Sequence, residues 1–338
     1  MKLSAIRKAQ FRRFKNNKIG FCAFILFMIV FVLCLGANFI ANDKPLLVKY
    51  NNSFYVPVLK TYPETTFGGV FETEAEYKDP IVQQLIKQNG YMLMPPIEFA
   101  DQTPSLDRTE YPAPPNATNW LGTDDHGRDV LARILYGLRV SLLFGLALTL
   151  VGSVIGILVG AVQGYYGGKI DLIGQRLMEV WSGMPQLFMI IILVSLFSPS
   201  VMVLFFMMLL FGWLGLVGLV RAEFLKARNF DYVRSAKAMG VSDRNIMFRH
   251  ILPNALASSL SQLPFILTAN VVSLTALDFL GYGLPAGSPS LGELMNQAKN
   301  NLDAPWLALS AFFSLTIILS LLIFIGEALR DAFDTRQS

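Results

Sequence analysis

Six long apolar runs constrain this chain more than anything else in it. They cover about Ile19 to Ala41, Val140 to Val162, Leu172 to Phe197, Val201 to Val220, Leu256 to Leu280 and Trp306 to Ile325. A bilayer core of about 30 Å takes roughly 20 apolar helical residues to cross, and each run meets or approaches that length. Composition agrees: 53% of the 338 residues are hydrophobic and 15% are charged, whereas a soluble domain carries about 25% charged residues. The sequence predicts an all-α polytopic membrane protein with six transmembrane helices. The first run is too long for a signal-peptide core of about 7–15 residues, so it is expected to stay as an anchor.

Charge sets the orientation. The head carries Lys2, Arg7, Lys8, Arg12, Arg13, Lys15 and Lys18 with no acidic residue among them. Cytoplasmic flanks collect Lys and Arg, so both termini are expected in the cytoplasm. Alternation then puts Lys169, Arg176, the block Arg221 to Arg249 and the tail from Arg330 on that same side. The segment Asn42 to Gly127, on the opposite side, holds twelve acidic and six basic residues. The net charge of +4 is therefore a matter of topology. No nucleic-acid partner is expected, because the cations sit beside apolar runs and not on a soluble surface with stacking aromatics. Cys22 and Cys34 share one apolar run and form no disulfide framework.

Three parts follow: residues 1–41 as a basic head and first span, 42–128 as a small outer insertion, and 129–338 as the membrane core. Within the insertion, Leu46 to Leu59 alternates like a hairpin and Pro104 to Pro115 is expected to run extended. Pro80 to Gly90 predicts a helix, with Asp79 as cap, an apolar face of Ile81, Val82, Leu85 and Ile86, and Gly90 as stop. After the fifth run, Leu291 to Ala298 is amphipathic and predicts a short helix at the outer mouth.

Little in the chain can do catalysis. His126 and His250 fall on opposite sides of the membrane, so neither a metal cluster nor a Ser-His-Asp triad can be assembled from them. Asp124-Asp125-His126 reads as a polar turn capping a helix that starts near Gly127. Gly167-Gly168-Lys169 resembles the end of a phosphate loop, but Gln163 and Ile170 stand where Gly and Ser or Thr are required. Ionisable residues near the membrane are few: Asp171, Arg176 and Glu179 open the third run, with Arg176 and Glu179 spaced to pair, Asp278 lies near the outer end of the fifth, and Glu327 and Arg330 close the sixth. None is at mid-depth, which counts against an ion-coupled secondary transporter, the main alternative from another class.

The most informative stretch is cytoplasmic. Asp231 to Asn254 predicts a helix over Tyr232 to Met239 ended by Gly240, then a second from Ser242, with Ser242 and Asp243 as caps, ended near Pro253. Small Ala236 and Ala238, an exposed Met239 and surrounding cations form a surface that another protein can approach closely. This block resembles the EAA loop of bacterial ABC importer permeases: Ser235-Ala236, Gly240 and Leu252-Pro253 follow its pattern, with Arg234 and Ser235 as departures seen in the peptide branch. Asn119 to Asp124 with Gly127 to Leu131, Gly164-Tyr165-Tyr166-Gly167-Gly168, and Gly326 to Asp334 resemble the oligopeptide and dipeptide permeases of that family. Phe67-Gly68-Gly69, Thr73-Glu74-Ala75, Asp79-Pro80 and Pro95-Pro96-Ile97 are similar to the microcin C type.

The resemblance implies a type I ABC importer permease fold in the bacterial inner membrane, with coupling helices at 231–254 that dock on an ATPase through Tyr232, Arg234, Ser235, Ala236, Met239, Gly240 and Arg244. It implies as partners a second homologous permease, two ATPase chains or one tandem ATPase, a periplasmic peptide-binding protein and membrane lipid. This chain would bind no cofactor, and ATP and Mg would sit on the partner subunits. The transported solute is expected to be an oligopeptide, peptide antibiotics such as microcin C included, with nickel or dipeptides as alternatives. Asp278, Asn270 and Gln262 are the candidates for the substrate path.

Overall fold

The computed structural model describes residues 3–105 and 110–333. Lys2, Asp334 and the middle of the Pro104 to Pro115 stretch lie outside the described residues. In chain order the first elements are α1 (Leu3–Asn16), α2 (Lys18–Leu35), α3 (Ala37–Ile40), β1 (Leu47–Tyr50), β2 (Ser53–Tyr55), α4 (Pro80–Asn89) and β3 (Gly90–Leu93). The helices α5 (Val130–Tyr166), α6 (Gly168–Ser182), α7 (Gln186–Ser195), α8 (Val201–Gly212) and α9 (Leu214–Ala227) follow. Last come α10 (Asp231–Ala238), α11 (Asp243–Asn245), α12 (Leu252–Leu260), α13 (Leu263–Phe279), α14 (Leu291–Asn300) and α15 (Pro305–Phe333).

Among the described residues, four stretches are long and apolar enough to cross a membrane, namely α2, α5, α8 with α9, and α15. The third expected run is not one straight span: α6 and α7 meet at an angle of 74°. The fifth is divided too, into α12 and the 17-residue α13. Prolines explain both divisions. Pro185 precedes α7, and Pro253 and Pro264 sit in the first turns of α12 and α13. A proline has no N–H to give the preceding turn and its ring crowds the carbonyl four residues back, so a helix restarts there more cheaply than it continues. Pro253 therefore does not end the second cytoplasmic helix as expected. The backbone widens into a π-type turn over Ile246–Ile251 and carries on into α12, a bulge that makes room for the ring.

The chain forms two compact units. One contains Met1–Met28, Ser141–Pro285 and Thr316–Ser338; the other contains Ile29–Val140 and Ala286–Leu315. In the first, α5 packs on α8 and α9 through glycines at every fourth position. A Cβ at Gly156 would lie 2.4 Å from the Trp213 carbonyl oxygen, one at Gly160 2.7 Å from that of Val217, and one at Gly164 2.5 Å from that of Arg221. Only hydrogen fits in those gaps, so the two backbones touch and can exchange Cα–H···O contacts along the seam. Two apolar clusters border the seam. Phe144, Leu148, Ile190, Met208, Phe211 and Leu277 make one; Tyr165, Val220, Phe224, Val233, Ala236 and Ile246 make the other.

The second unit adds a small sheet to the helical architecture, in the order β2-β1-β3 with both pairings antiparallel. Its β1–β2 pairing is the hairpin expected over Leu46 to Leu59, and β3 follows α4 directly. Asp79 accepts from Ile81 N–H at 2.7 Å as the helix cap. Val82 and Ile86 are buried while Ile81 is exposed, so the apolar face of α4 is narrower than its composition suggests. The core centres on Phe67, whose ring meets Tyr50, Tyr55, Tyr62 and Tyr77 edge-on at centroid distances of 5.4–6.4 Å. Such edge-to-face pairs add to the gain from burying the rings. The amphipathic stretch near the end of this unit is helical as expected: Ser290 Oγ accepts from Gly292 N–H at 3.1 Å to cap α14.

Candidate docking segment and substrate path

Residues 231–254 fold as a helix, a glycine turn and a second helix. Gly240 has φ +79°, and no atom lies within 4 Å of a Cβ built on it. The left-handed backbone requires glycine there and the turn stays open to solvent. Around it Met239 is 77% exposed and Tyr232 42% exposed, and Arg234, Ser235 and Arg244 are exposed as well. Ala236 is different. It is 3% exposed and packs inward with Val233 against Val220 and Phe224, so its small size lets α10 approach the core and does not face a partner. Ser242 makes no side-chain cap. The first residue of α11, Asp243, instead accepts from the Tyr165 hydroxyl at 2.6 Å.

That bond joins the segment to the end of α5. Close by in the same unit, Arg228 donates to the Tyr165 carbonyl at 3.4 Å, and Arg221 of α9 binds Asp171 of α6 through Nε and Nη2 at 2.5 and 2.7 Å. Two parallel charge-assisted bonds fix both angle and distance. Sequence spacing pointed to Arg176 and Glu179, which do pair at 2.5 Å but are exposed and contribute little. The Asp171–Arg221 pair is 50 residues apart and has no local sequence signal.

The three path candidates are placed differently. Asn270 is buried and donates to Thr149 Oγ1 at 2.9 Å, tying α13 to α5. Gln262 is half-buried in the break between α12 and α13, where its carbonyl accepts from Ile266 N–H at 3.1 Å. Asp278 is buried and accepts from Leu284 N–H at 2.6 Å. One oxygen is thus committed to the loop that follows α13, and the side chain does not reach out to water as a snorkelling acid would. The structure does not bring these three into one cluster through any bond among the described residues.

The outer motif from Asn119 to Leu131 is a folded corner. Asp124 accepts from the N–H groups of His126 and Arg128 at 2.9 Å each and from Arg128 Nε at 2.7 Å. The turn expected at Asp124 is present, but α5 starts three residues after Gly127, and its cap is Asp129, which accepts from Ala132 N–H at 2.8 Å. Burial raises the Asp129 carboxyl above its ordinary range, opposed by bonds from Asn119 and from the Ala132 and Leu131 N–H groups. Arg133 is wholly buried, donates to the Asp101, Gly287 and Ser288 carbonyls at 3.1–3.2 Å, and pairs with Glu293 of α14. Asp124, Asp125 and His126 come close enough to share an ion. With Asp124 already satisfied and the other two exposed, they serve the turn.

A permease-like membrane core with an exposed helix-glycine-helix segment fits one known group closely. Residues 152–338 match the family of binding-protein-dependent transport system inner membrane components. The chain belongs to that family. It is 56% identical over 338 residues to the inner membrane ABC transporter permease protein YejE of Escherichia coli, covering 100% of this chain and 99% of the relative. It is 50% identical to the peptidoglycan transport system permease protein YejE of Agrobacterium fabrum, covering 99% and 94%. The oligopeptide transport system permease protein OppC of Lactococcus lactis is 35% identical over 262 residues, 76% of this chain and 85% of that one. A chain of the MetNI methionine ABC transporter in inward-facing conformations superposes with a TM-score of 0.51 at 15% identity, covering 60% of this chain and 96% of its own, and supports the type I permease fold. The protein is therefore a multi-pass inner-membrane permease subunit of an ABC importer and not an enzyme. Membership implies an ATPase, a solute-binding protein and a second permease as partners.

Proposed function

We propose that this permease carries oligopeptides inward across the inner membrane, microcin C type peptide antibiotics among them, as one of two homologous permease chains. The observation that supports it most is full-length likeness to a YejE permease together with likeness to oligopeptide and dipeptide permeases over most of the chain. The basic flanks favour cytoplasmic termini, which puts 231–254 on the cytoplasmic side.

There, Tyr232, Arg234, Ser235, Met239, Gly240 and Arg244 are the surface for the ATPase, with Ala236 seating α10 from beneath. ATP and Mg belong to the ATPase, as two chains or one tandem chain, and this chain holds no cofactor. The second permease chain lies against α6, none of whose residues is buried within this one. A periplasmic binding protein delivers the peptide to a path that includes Gln262, Asn270 and Asp278. Each nucleotide state prefers one conformation of the pair, and that difference in affinity drives the change of access. The Tyr165–Asp243 bond ties the docked segment to α5.

Uptake by purified, reconstituted complex tests this. Labelled oligopeptide should accumulate inside ATP-loaded vesicles, and the complex should contain an ATPase and a second permease. A lone homo-oligomer, or transport of nickel without peptide, contradicts the proposal. Preference for peptidoglycan-derived peptides over free ones would move the substrate toward that of the Agrobacterium relative.

A further inference from the structure

The amino-terminal corner uses residues that neither docking nor the substrate path requires. Phe14 is buried against Ala328 and Ala332 of α15, and Asn17 donates to Asp331 at 3.4 Å. A Cβ at Gly20 would overlap that of Ala328, so α2 and α15 are in backbone contact at this end. Asn17 Oδ1 accepts from Gly20 N–H at 3.1 Å and caps α2 as a fresh helix. The Phe14 ring lies 6.2 Å from that of Phe21 and 5.9 Å from that of Phe24. In a straight helix, positions ten apart are about 15 Å apart along the axis. The chain therefore turns sharply at Asn17, and α1 leaves the line of the span.

On another side of α1, Lys8, Phe11, Arg12 and Lys15 stand at i, i+3, i+4 and i+7, which is one helical face. All four are exposed, Phe11 at 64%. None of the three cations makes an ion pair among the described residues. A water-facing helix gains nothing from a bare phenyl ring among its charges. At a membrane surface the ring enters the acyl boundary while Lys and Arg meet phosphate.

We propose that this face of α1 is a docking site for anionic phospholipid headgroups of the leaflet at the basic end of α2. The site rests on the membrane orientation above and is independent of the solute carried. Because Phe14 and Gly20 fix the same corner to α15, lipid bound there holds the cytoplasmic ends of α1, α2 and α15 together.

The test uses the whole importer complex in nanodiscs of phosphatidylcholine with or without phosphatidylglycerol, each prepared with brominated acyl chains. Phe11→Trp supplies the probe, read as a difference from the parent with its 4 tryptophans. The expected result is stronger quenching with brominated phosphatidylglycerol than with brominated phosphatidylcholine. That excess should fall roughly fivefold in apparent affinity for each of Lys8, Arg12 and Lys15 changed to Gln, survive in Lys8→Arg/Lys15→Arg, and weaken with salt. Equal quenching in the two lipids, an unquenched indole, or quenching that appears only when the ATPase is stripped away overturns the proposal, the last by assigning the face to the ATPase. If the Gln variants fail to assemble, the salt titration of Phe11→Trp alone decides. Peptide uptake and ATPase co-purification on the same preparation separate failure of this site from failure of the importer assignment.

Discussion

Helix α5 and the pair α6–α7 are each drawn as one span from the sequence. The first is unbroken over 37 residues, while the second bends by 74°. Helix α5 presents its glycines to the backbone of α8–α9 and so finds its partner within the chain. Helix α6 buries nothing there, and Gly183-Met184-Pro185 interrupts the run. Apolarity measures only how much of a segment suits lipid. The placement of small residues and prolines determines whether the segment is a fixed strut or a jointed one.

The largest effect is expected at the α5 seam. Gly156→Leu should abolish recovery of assembled complex, because the side chain has to displace the Trp213 backbone, an overpacking cost of several kcal/mol. Gly218→Leu is the control, since no atom lies within 4 Å of a Cβ at that glycine, and it should assemble normally by size-exclusion chromatography. A smaller effect is expected from Asp171→Asn, which removes the charged half of a bidentate, partly buried pair and leaves Arg221 underpaired. About 1–3 kcal/mol should be lost, read as a lower melting temperature of the purified complex.

Smaller still is Tyr165→Phe. It keeps the ring in the apolar cluster and deletes only the bond to Asp243, worth about 1 kcal/mol. Transport per ATP hydrolysed should drop severalfold with assembly intact; an unchanged ratio would mean that the bond carries no coupling. Arg176→Gln should do nearly nothing, within about 0.5 kcal/mol, since both partners of that pair are exposed. A large loss there would mean that the second permease chain meets α6 at the Arg176–Glu179 pair itself and not on another face.

Much of the docking segment was legible because its signals are local: a helix-ending glycine at Gly240 and a helical restart just after it. The Asp79 cap and the hairpin before it were legible for the same reason. The inward turn of Ala236, the Asp171–Arg221 pair and the Tyr165–Asp243 bond were not, since each is decided by a partner far along the chain. Pro253 misled in the opposite way. As a local signal it marks a helix end, yet the wide turn over Ile246–Ile251 absorbs it and the helix continues. The hold of one Asp278 oxygen on the Leu284 N–H was not legible either, since its donor comes from the loop after α13. The bend at Pro185 could have been found, because a glycine and a proline two residues apart inside an apolar run already weaken a single-span assignment.

Docking of 231–254 on an ATPase can be read from a photo-crosslinking amino acid placed at Met239. In whole cells one adduct is expected, with an ATPase subunit, and it should be lost on Gly240→Val, which strains the left-handed turn without touching any neighbour. An adduct with lipid or with the solute-binding protein, or no adduct while peptide uptake proceeds, would contradict it.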